Sequence, residues 1–358
     1  MKILIIQQKM IGDVLISSIL CENIKKNLQD TEVHYLINSN TKAVVSNNPY
    51  VDQILLFTPE HRQSKRSFYR FLQQVKAQKY HAVIDIYSKL ESNCISFFSK
   101  APIKISLKKW YSSFVYTHYV EKSKNRPIGV GYAIEDRLLF LAPLIPALKA
   151  PVKKPIIYLT DTEMARAKDF LLSHDVDFSK PIIMLGILGS AKNKTYPLPY
   201  MAELIDKVAS KTDATLLFNY IPSQHIEAKK LYDLCGADTK KKVKFRAFSD
   251  SLRPFLALLS HCKALIGNEG GAVNMAKALN IPTFSIFSPW ITKAAWDTFA
   301  DDTNIAVHLN DYKPEIFKGK SKKELQKETR EIYPLFKPEL FDDRLEHFLS
   351  AAITLPNQ

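Results

Sequence analysis

The stretch Ala264-Leu265-Ile266-Gly267-Asn268-Glu269-Gly270-Gly271-Ala272-Val273-Asn274-Met275-Ala276-Lys277-Ala278-Leu279 is a short apolar run that passes through two adjacent glycines into a helical pattern. The strand pattern ends at Asn268 and the helix begins near Ala272. A strand–turn–helix junction of this kind leaves the first helical N–H groups without partners, facing any anion seated in the turn. Close packing alone would also explain the paired glycines.

The same alternation extends in both directions. Strand patterns cover Ile3–Gln7, Val33–Ile37, Ile54–Phe57, Ala82–Tyr87 and Ile103–Leu107, separated by helical patterns over about Asp13–Leu28, Thr41–Asn48, Lys65–Lys79 and Leu90–Ser99. Gly131–Leu144 reads as a further helix. After the Pro-bracketed basic segment Ala150–Pro155 the alternation restarts, with strands at Ile156–Leu159, Ile182–Leu188, Thr215–Asn219, Val243–Phe248, Ala264–Asn268 and Thr283–Phe287. Its helices are expected at Glu163–His174, Tyr200–Lys211, Gln224–Cys235, Leu252–Cys262 and about Pro338–Ala352, while Lys318–Arg330 is a charged helix or loop. Regular strand–helix alternation predicts an α/β chain of right-handed βαβ units, hence parallel sheets covered on both faces. Two Rossmann-like domains follow, 1–152 and 153–358, and the final helix is a candidate to pack back on the first.

The chain has 358 residues with 50 Lys and Arg against 36 Asp and Glu, a net charge of +14. Residues 61–126 hold 14 basic and 3 acidic side chains, a surplus of 11. Such a field attracts nucleic acid, anionic headgroups or a phosphorylated substrate, though a basic face kept for solubility gives the same count. No nucleic-acid-binding module is visible. Cys21, Cys94, Cys235 and Cys262 lie far apart and read as buried thiols in a reducing compartment. No His, Asp or Glu group has metal-ligand spacing, so no metal is expected. The N-terminal apolar run is too short for a signal peptide and no run approaches a membrane span, so the expected location is cytosolic, with contact at a membrane surface left open.

In open parallel sheets ligands sit beyond the carboxyl ends of the strands. Six of the ten glycines, Gly12, Gly186, Gly189, Gly267, Gly270 and Gly271, lie in or beside such turns. In Gln8-Lys9-Met10-Ile11-Gly12-Asp13, Gly12 allows a tight turn, and Asp13 can cap the helix or project as a general base. Gly189-Ser190-Ala191-Lys192-Asn193-Lys194-Thr195-Tyr196-Pro197 has the composition of a diphosphate cradle, with Ser190 and Lys194 foremost, or of a solvated basic loop. Glu269 reads as a ligand to sugar hydroxyls or as a helix-start charge, and Asn274 could point into the same space. GxGxxG, P-loop, GxSxG and HExxH motifs are absent.

Lys2-Ile3-Leu4-Ile5-Ile6, followed by Ile11-Gly12-Asp13-Val14-Leu15, resembles the start of the lipopolysaccharide heptosyltransferases, glycosyltransferase family 9. Lys194-Thr195-Tyr196-Pro197 is similar to that family's Lys-x-Trp-Pro element, and Ile266 through Pro289 to its donor motif. The resemblance implies a GT-B fold, two Rossmann-like domains with parallel sheets facing a central cleft, the acceptor on the first and the donor on the second. It implies an inverting, metal-independent transfer of heptose or a related sugar, with an ADP-sugar as co-substrate and no resident cofactor. The acceptor would be the lipopolysaccharide inner core or a similar acidic lipid-linked glycan.

Carried over, Asp13 would be the general base; Gly12, Ser190, Lys194, Gln224, Glu269, Gly270, Gly271 and Asn274 would form the donor site. Lys65, Arg66, Arg70, Lys108 and Lys109 would meet anionic acceptor groups or the membrane surface rather than nucleic acid. The chain departs from the pattern where Asn274 replaces a His, Gly270 a hydroxyl residue and Glu269 an Asp, and where Gln7–Gln8 stand near a usual Arg. A non-catalytic nucleotide-sugar-binding protein, or a transferase for another nucleotide sugar, is the alternative those departures suggest.

Overall fold

The computed structural model describes residues 1–121 and 130–354; Lys122, Lys124 and Arg126 of the basic stretch lie outside them. The chain forms two compact units, Met1–Tyr158 and Leu159–Gln358. The division falls later than the expected boundary after Val152. Val152 is tied into the first unit by a two-way amide pairing with the buried Asn23, whose Nδ2 donates to Val152 O and whose Oδ1 accepts from Val152 N, each at 2.9 Å.

The first unit contains β1 (Lys2–Ile6), β2 (Glu32–Asn38), β3 (Gln53–Phe57), β4 (Ala82–Asp85), β5 (Ile103–Leu107) and β6 (His118–Val120). They form one parallel sheet in the order β3-β2-β1-β4-β5-β6. Ile3, Leu4, Ile5 and Ile6 of the central strand are fully buried, as expected of a strand covered on both faces. Strand order reverses between β1 and β4, so the turn carrying Gly12 and Asp13 opens at the topological switch point. The helix Lys65–Ala77 is capped by Ser64 Oγ, which accepts from Ser67 N, and buries Phe71, Leu72 and Val75 against the sheet. Its opposite side leaves Lys65, Arg66 and Arg70 exposed.

The second unit holds β7 (Ile182–Gly186), β8 (Thr215–Asn219), β9 (Ala264–Asn268), β10 (Thr283–Phe287) and β11 (Asn304–His308). They too are parallel, in the order β11-β10-β9-β7-β8. Here the reversal lies between β7 and β9, the two strands whose following turns carry Lys194 and Glu269. The last helix, Asp342–Thr354, sends Leu345, Phe348, Leu349 and Ala352 into this unit's own core. Phe348 packs on Phe284 with ring centres 5.6 Å apart. The apolar face of this helix is thus used within its own unit.

Several expected elements change. The single helix over Asp13–Leu28 is two, Ile11–Ser17 and Ile19–Asn27. Ser18 N and Ser18 Oγ both donate to Leu15 O, a side-chain competition that breaks the α-helical ladder. Gly131–Leu144 shortens to an α-helix Tyr132–Leu138 continued by a 3-10 turn, Leu139–Leu141. Ile156–Leu159 joins no ladder, and Val243–Phe248 makes one bridge only, Val243 to Leu216. Phe245 and Phe248, three positions apart, instead both pack on the ring of Tyr220, with ring centres 5.6 and 4.5 Å away. β6 and β11, both edge strands, carry patterns too short or too polar to stand out.

One ion pair joins two helices of the second unit. Glu163, in a capping box with Thr160, accepts Arg253 Nε at 2.6 Å and Nη2 at 2.8 Å. The Arg253 hydrogen bonds, supported by Thr160, lower the Glu163 carboxyl from 4.5 to about 2. A depressed carboxyl stabilises the fold above its unfolded value and loses that contribution as pH falls through its folded value. The wild-type protein should therefore lose about 1–2 kcal/mol of unfolding free energy, a figure discounted for partial exposure, as pH falls from 4.5 to about 2. Glu163→Gln should lack that increment across the window, measured by urea unfolding; an unchanged acid limb would show that the pair contributes nothing.

Candidate active site

At the switch point of the second sheet the backbones of β7 and β9 come together at Gly186 and Gly267, which are register partners. Gly267 has φ +147°, and a Cβ there would stand 2.2 Å from Gly186 O; only glycine fits both conditions. The next residue, Asn268, is buried. Its Nδ2 donates to Gly186 O at 2.9 Å and its Oδ1 accepts from Tyr196 N at 2.7 Å. One amide therefore joins the ends of two strands and the 189–197 turn.

That turn is held from the other side as well. Ser288 Oγ and Trp290 Nε1, beyond β10, both donate to Asn193 O, at 2.6 and 3.1 Å. Gly189 N donates to Thr195 Oγ1 at 3.1 Å, closing the turn on itself. The result places Lys194 Nζ 3.2 Å from Glu269 Oε1 and 5.4 Å from the Trp290 ring centre. The Lys194–Glu269 contact is ionic without hydrogen-bond alignment, since that carboxylate oxygen has no hydrogen-bond partner. Glu269 is 8% exposed and Lys194 25%, so the lysine is the member that reaches solvent.

Gly270 follows with φ +151° and nothing within 4 Å of where a Cβ would stand. Open space therefore lies over the start of the helix Gly271–Ala278, whose first-turn amides have no intrahelical acceptor. Asn274 sits one turn in, its Nδ2 3.4 Å from Gly270 O. Ser190 is exposed in its turn. Gln224 spends its amide on the scaffold: Oε1 accepts from Ile221 N and Nε2 donates to Gly189 O, both at 3.2 Å. Lys194, Glu269, Gly270, Gly271 and Asn274 are thus assembled at one switch point, with Gln224 bracing the neighbouring turn. A lysine, open helix amides and a buried carboxylate suit a ligand bearing both phosphate and hydroxyl groups.

In the first unit Asp13 is the third residue of the helix Ile11–Ser17, and its Oδ2 accepts from Met10 N at 3.4 Å. Its Oδ1 is paired with Arg137 Nη2, and the same guanidinium donates to Ala133 O at 2.9 Å and to Ser17 Oγ at 3.3 Å. Asp13 therefore caps its helix and also stands in a fixed, partly exposed ion pair. Arg137, distant in sequence and within a plain amphipathic helix, gave no signal in advance; Asn268 was visible only as the end of a strand.

The remaining basic residues all belong to the first unit. Lys65, Arg66 and Arg70 share the exposed side of one helix, Lys108 is paired with Glu121 at 3.0 Å, and Lys109 Nζ donates to Ser88 O at 2.5 Å.

The architecture has known counterparts. The crystal structure of a family 9 glycosyltransferase from Veillonella parvula DSM 2008 superposes with a TM-score of 0.77 at 17% identity, covering 96% of this chain and 97% of that one. Escherichia coli heptosyltransferase WaaC, solved with ADP-2-deoxy-2-fluoro heptose, gives 0.64 at 16% identity over 94% and 98%. Two parallel α/β sheets in this arrangement of elements are the GT-B fold. In sequence, Lipopolysaccharide heptosyltransferase 1 of Campylobacter coli is 25% identical over 296 residues, 80% of this chain and 84% of that protein. Residues 68–325 match the model of glycosyltransferase family 9 (heptosyltransferase), and the chain belongs to that family. It is a glycosyltransferase.

Asn268 supplies the sharpest test of this geometry. Asn268→Asp keeps an acceptor for Tyr196 N–H but sets an oxygen against Gly186 O, and should cost about 1–3 kcal/mol in urea unfolding. Asn268→Ala should in addition speed hydrogen exchange at the Tyr196 amide. Equal exchange in the two variants would mean that the amide does not hold the 189–197 turn.

Proposed function

We propose that this glycosyltransferase moves heptose, or a closely related sugar, from an ADP-sugar to the lipopolysaccharide inner core or a similar acidic lipid-linked glycan, with inversion and without a metal. The observation that carries this reading is the convergence of Lys194, Glu269 and the start of the Gly271–Ala278 helix at one switch point. The names of the Campylobacter and Escherichia relatives point to the same donor and acceptor classes.

In the proposed reaction, an oxygen of Asp13 takes the proton of an acceptor hydroxyl. The hydroxyl oxygen attacks the anomeric carbon from the face opposite the diphosphate, and the bond from that carbon to the diphosphate oxygen breaks. The charge left on the departing ADP is met by Lys194 and the helix amides, which are already in place and need no reorganisation. Glu269 accepts hydrogen bonds from sugar hydroxyls, with Gly270 and Gly271 leaving room for the phosphate and Ser190 adding a hydroxyl at the rim. Asn274, in place of a His, can donate a hydrogen bond to the phosphate but brings no charge. Gln224 acts by fixing the turn beneath the nucleotide, and Gly12 by shaping the turn that presents Asp13. Arg137 is a positioning residue: it holds one oxygen of Asp13 and leaves lone pairs on the other for the proton.

The acceptor would be met by the basic first unit, through Lys65, Arg66, Arg70, Lys108 and Lys109. The work would take place at the cytoplasmic side of the inner membrane, where such an acceptor is anchored.

Asp13→Ala should lower transfer by a factor of about 10²–10⁴ while calorimetry shows ADP binding nearly unchanged; if more than about a tenth of the activity survives, Asp13 is not the base. Raising ionic strength should raise KM for the acceptor more than for the donor, because exposed charges are screened while the partly buried Lys194 site is less so. Equal salt dependence of the two constants would remove the basic face from acceptor binding.

A further inference from the structure

Among the described residues the two most exposed large apolar side chains are Trp110, 89% exposed, and Phe114, 78%. Both lie in the connection from β5 to β6, the edge strand of the first sheet. Phe114 meets Phe97 of the helix Leu90–Phe98 with ring centres 6.4 Å apart, and Trp110 meets Tyr111 at 5.8 Å. Phe97 and Tyr111 are themselves 41% and 46% exposed. Both exposed pairs are built on the connection between β5 and β6, which makes its outer side an aromatic face.

This face is held, not left loose. On its inner side Ser112, Val115 and Tyr116 are buried, and Tyr116 OH lies 2.6 Å from Asp85 Oδ2, to which it donates. With the inner residues pinned to the sheet, the outer ones have nowhere to fold back.

The charge around the face is mostly positive, and the two carboxylates at its borders are taken up locally, Glu91 by Arg62 at 2.7 Å and Glu121 by Lys108 at 3.0 Å. From Ser92 to Val120 the sequence contains four lysines and no Asp or Glu. Lys100 Nζ stands 4.5 Å from the Phe97 ring centre and Lys109 Nζ 5.8 Å from that of Tyr111, and Lys108 adjoins them. The neighbouring helix Lys65–Ala77, which packs on Leu90–Phe98, adds Lys65, Arg66 and Arg70. Exposed Trp, Tyr and Phe set among lysines match the layered chemistry of a bilayer surface, with acyl and glycerol groups for the rings and anionic headgroups for the ammoniums. A protein or second copy of this chain would have to bring carboxylates to the same place, and the carboxylates beside this face, Glu91 and Glu121, are already paired. No helix among the described residues is long and apolar enough to cross a membrane, so attachment through this face would be peripheral.

We infer that the face carrying Phe97, Trp110, Tyr111 and Phe114, with Lys100, Lys108 and Lys109, docks on an anionic lipid bilayer. Aromatic insertion supplies the apolar part of the affinity and the lysines supply its preference for negative headgroups. On the reading of a lipid-linked acceptor proposed above, this surface keeps the enzyme beside its substrate, but the contact itself does not depend on turnover.

The test is sedimentation of the full chain with vesicles of phosphatidylethanolamine and phosphatidylglycerol, or of phosphatidylcholine alone. The protein should bind the anionic vesicles and not the neutral ones, and binding should weaken as salt is raised. Trp110→Ser/Phe114→Ser should weaken it by about ten-fold or more; both side chains are exposed, and an unchanged melting temperature verifies the fold. Trp110→Phe should retain binding but lose the blue shift of tryptophan emission that vesicles induce. Transfer to a soluble, delipidated acceptor should be unchanged in the double variant. No binding to anionic vesicles at low salt, or equal binding by the double variant, overturns the inference. So does a concentration-dependent self-association that the double variant abolishes, which would make this face an interface between copies. Vesicle binding without transfer to any heptose acceptor would leave the docking surface standing and remove the proposed function instead.

Discussion

The side-chain amide of Asn268 is the constraint on which the second unit's site depends. It is buried where β7 and β9 diverge, and it donates to one strand end while accepting from the turn that follows the other. Both of its polar ends are satisfied, which makes the buried group a stabilising one. Without it the 189–197 turn would keep its internal Gly189–Thr195 bond, the brace of Gln224 and the contacts to Asn193 O, but would lose its tie to the end of β9, where Glu269 follows. The Gly186–Gly267 approach belongs to the same constraint, because any side chain at Gly267 would drive the two strand ends apart.

The electrostatics of the two switch points are built alike. Each sets a cation against a carboxylate, Lys194 with Glu269 and Arg137 with Asp13. In neither place is the pair sealed from solvent. At the second switch point the carboxylate is the buried member and the lysine is the one that reaches solvent. At the first, the guanidinium is the less exposed member and the carboxylate is the one presented. On the proposed reaction this is the right polarity at both ends: a cation offered to the leaving group and a carboxylate offered to the attacking hydroxyl.

Much of this was legible in the chain. The strands with continuous apolar runs, Ile3–Ile6, Ile182–Gly186 and Ala264–Asn268, were found because a central parallel strand is buried on both faces and has no polar alternation to confuse. His118–Val120 and Asn304–His308 were not, since the first has only three residues and the second only the run Ile305-Ala306-Val307 between polar ends, whereas the edge strands Gln53–Phe57 and Thr215–Asn219 have longer apolar runs. Val243–Phe248 shows the reverse case: Val243, Phe245 and Ala247 alternate as in a strand, yet Phe245 and Phe248, three positions apart, both pack on Tyr220. At the site, the glycine turns marked Lys194 and Glu269 in the sequence itself. Gln224 was found for its position, while its bonds to Ile221 and Gly189 show it bracing the turn. Arg137 could not be found, because only folding brings it to Asp13 across 124 positions of chain.

The sequence by itself determined the alternation of strand and helix, the two-unit plan, the concentration of positive charge in the first unit and the turns in which ligand chemistry would be sought. These are local properties, set by apolar period, glycine placement and charge count. Only the tertiary structure decided which strands are neighbours and hence where each sheet reverses its order. It alone paired Lys194 with Glu269 and Asp13 with Arg137, gave the last helix to the second unit's core, and turned Trp110 and Phe114 outward. Those outcomes depend on hydrogen bonds and contacts between residues far apart in the chain, which no local pattern encodes.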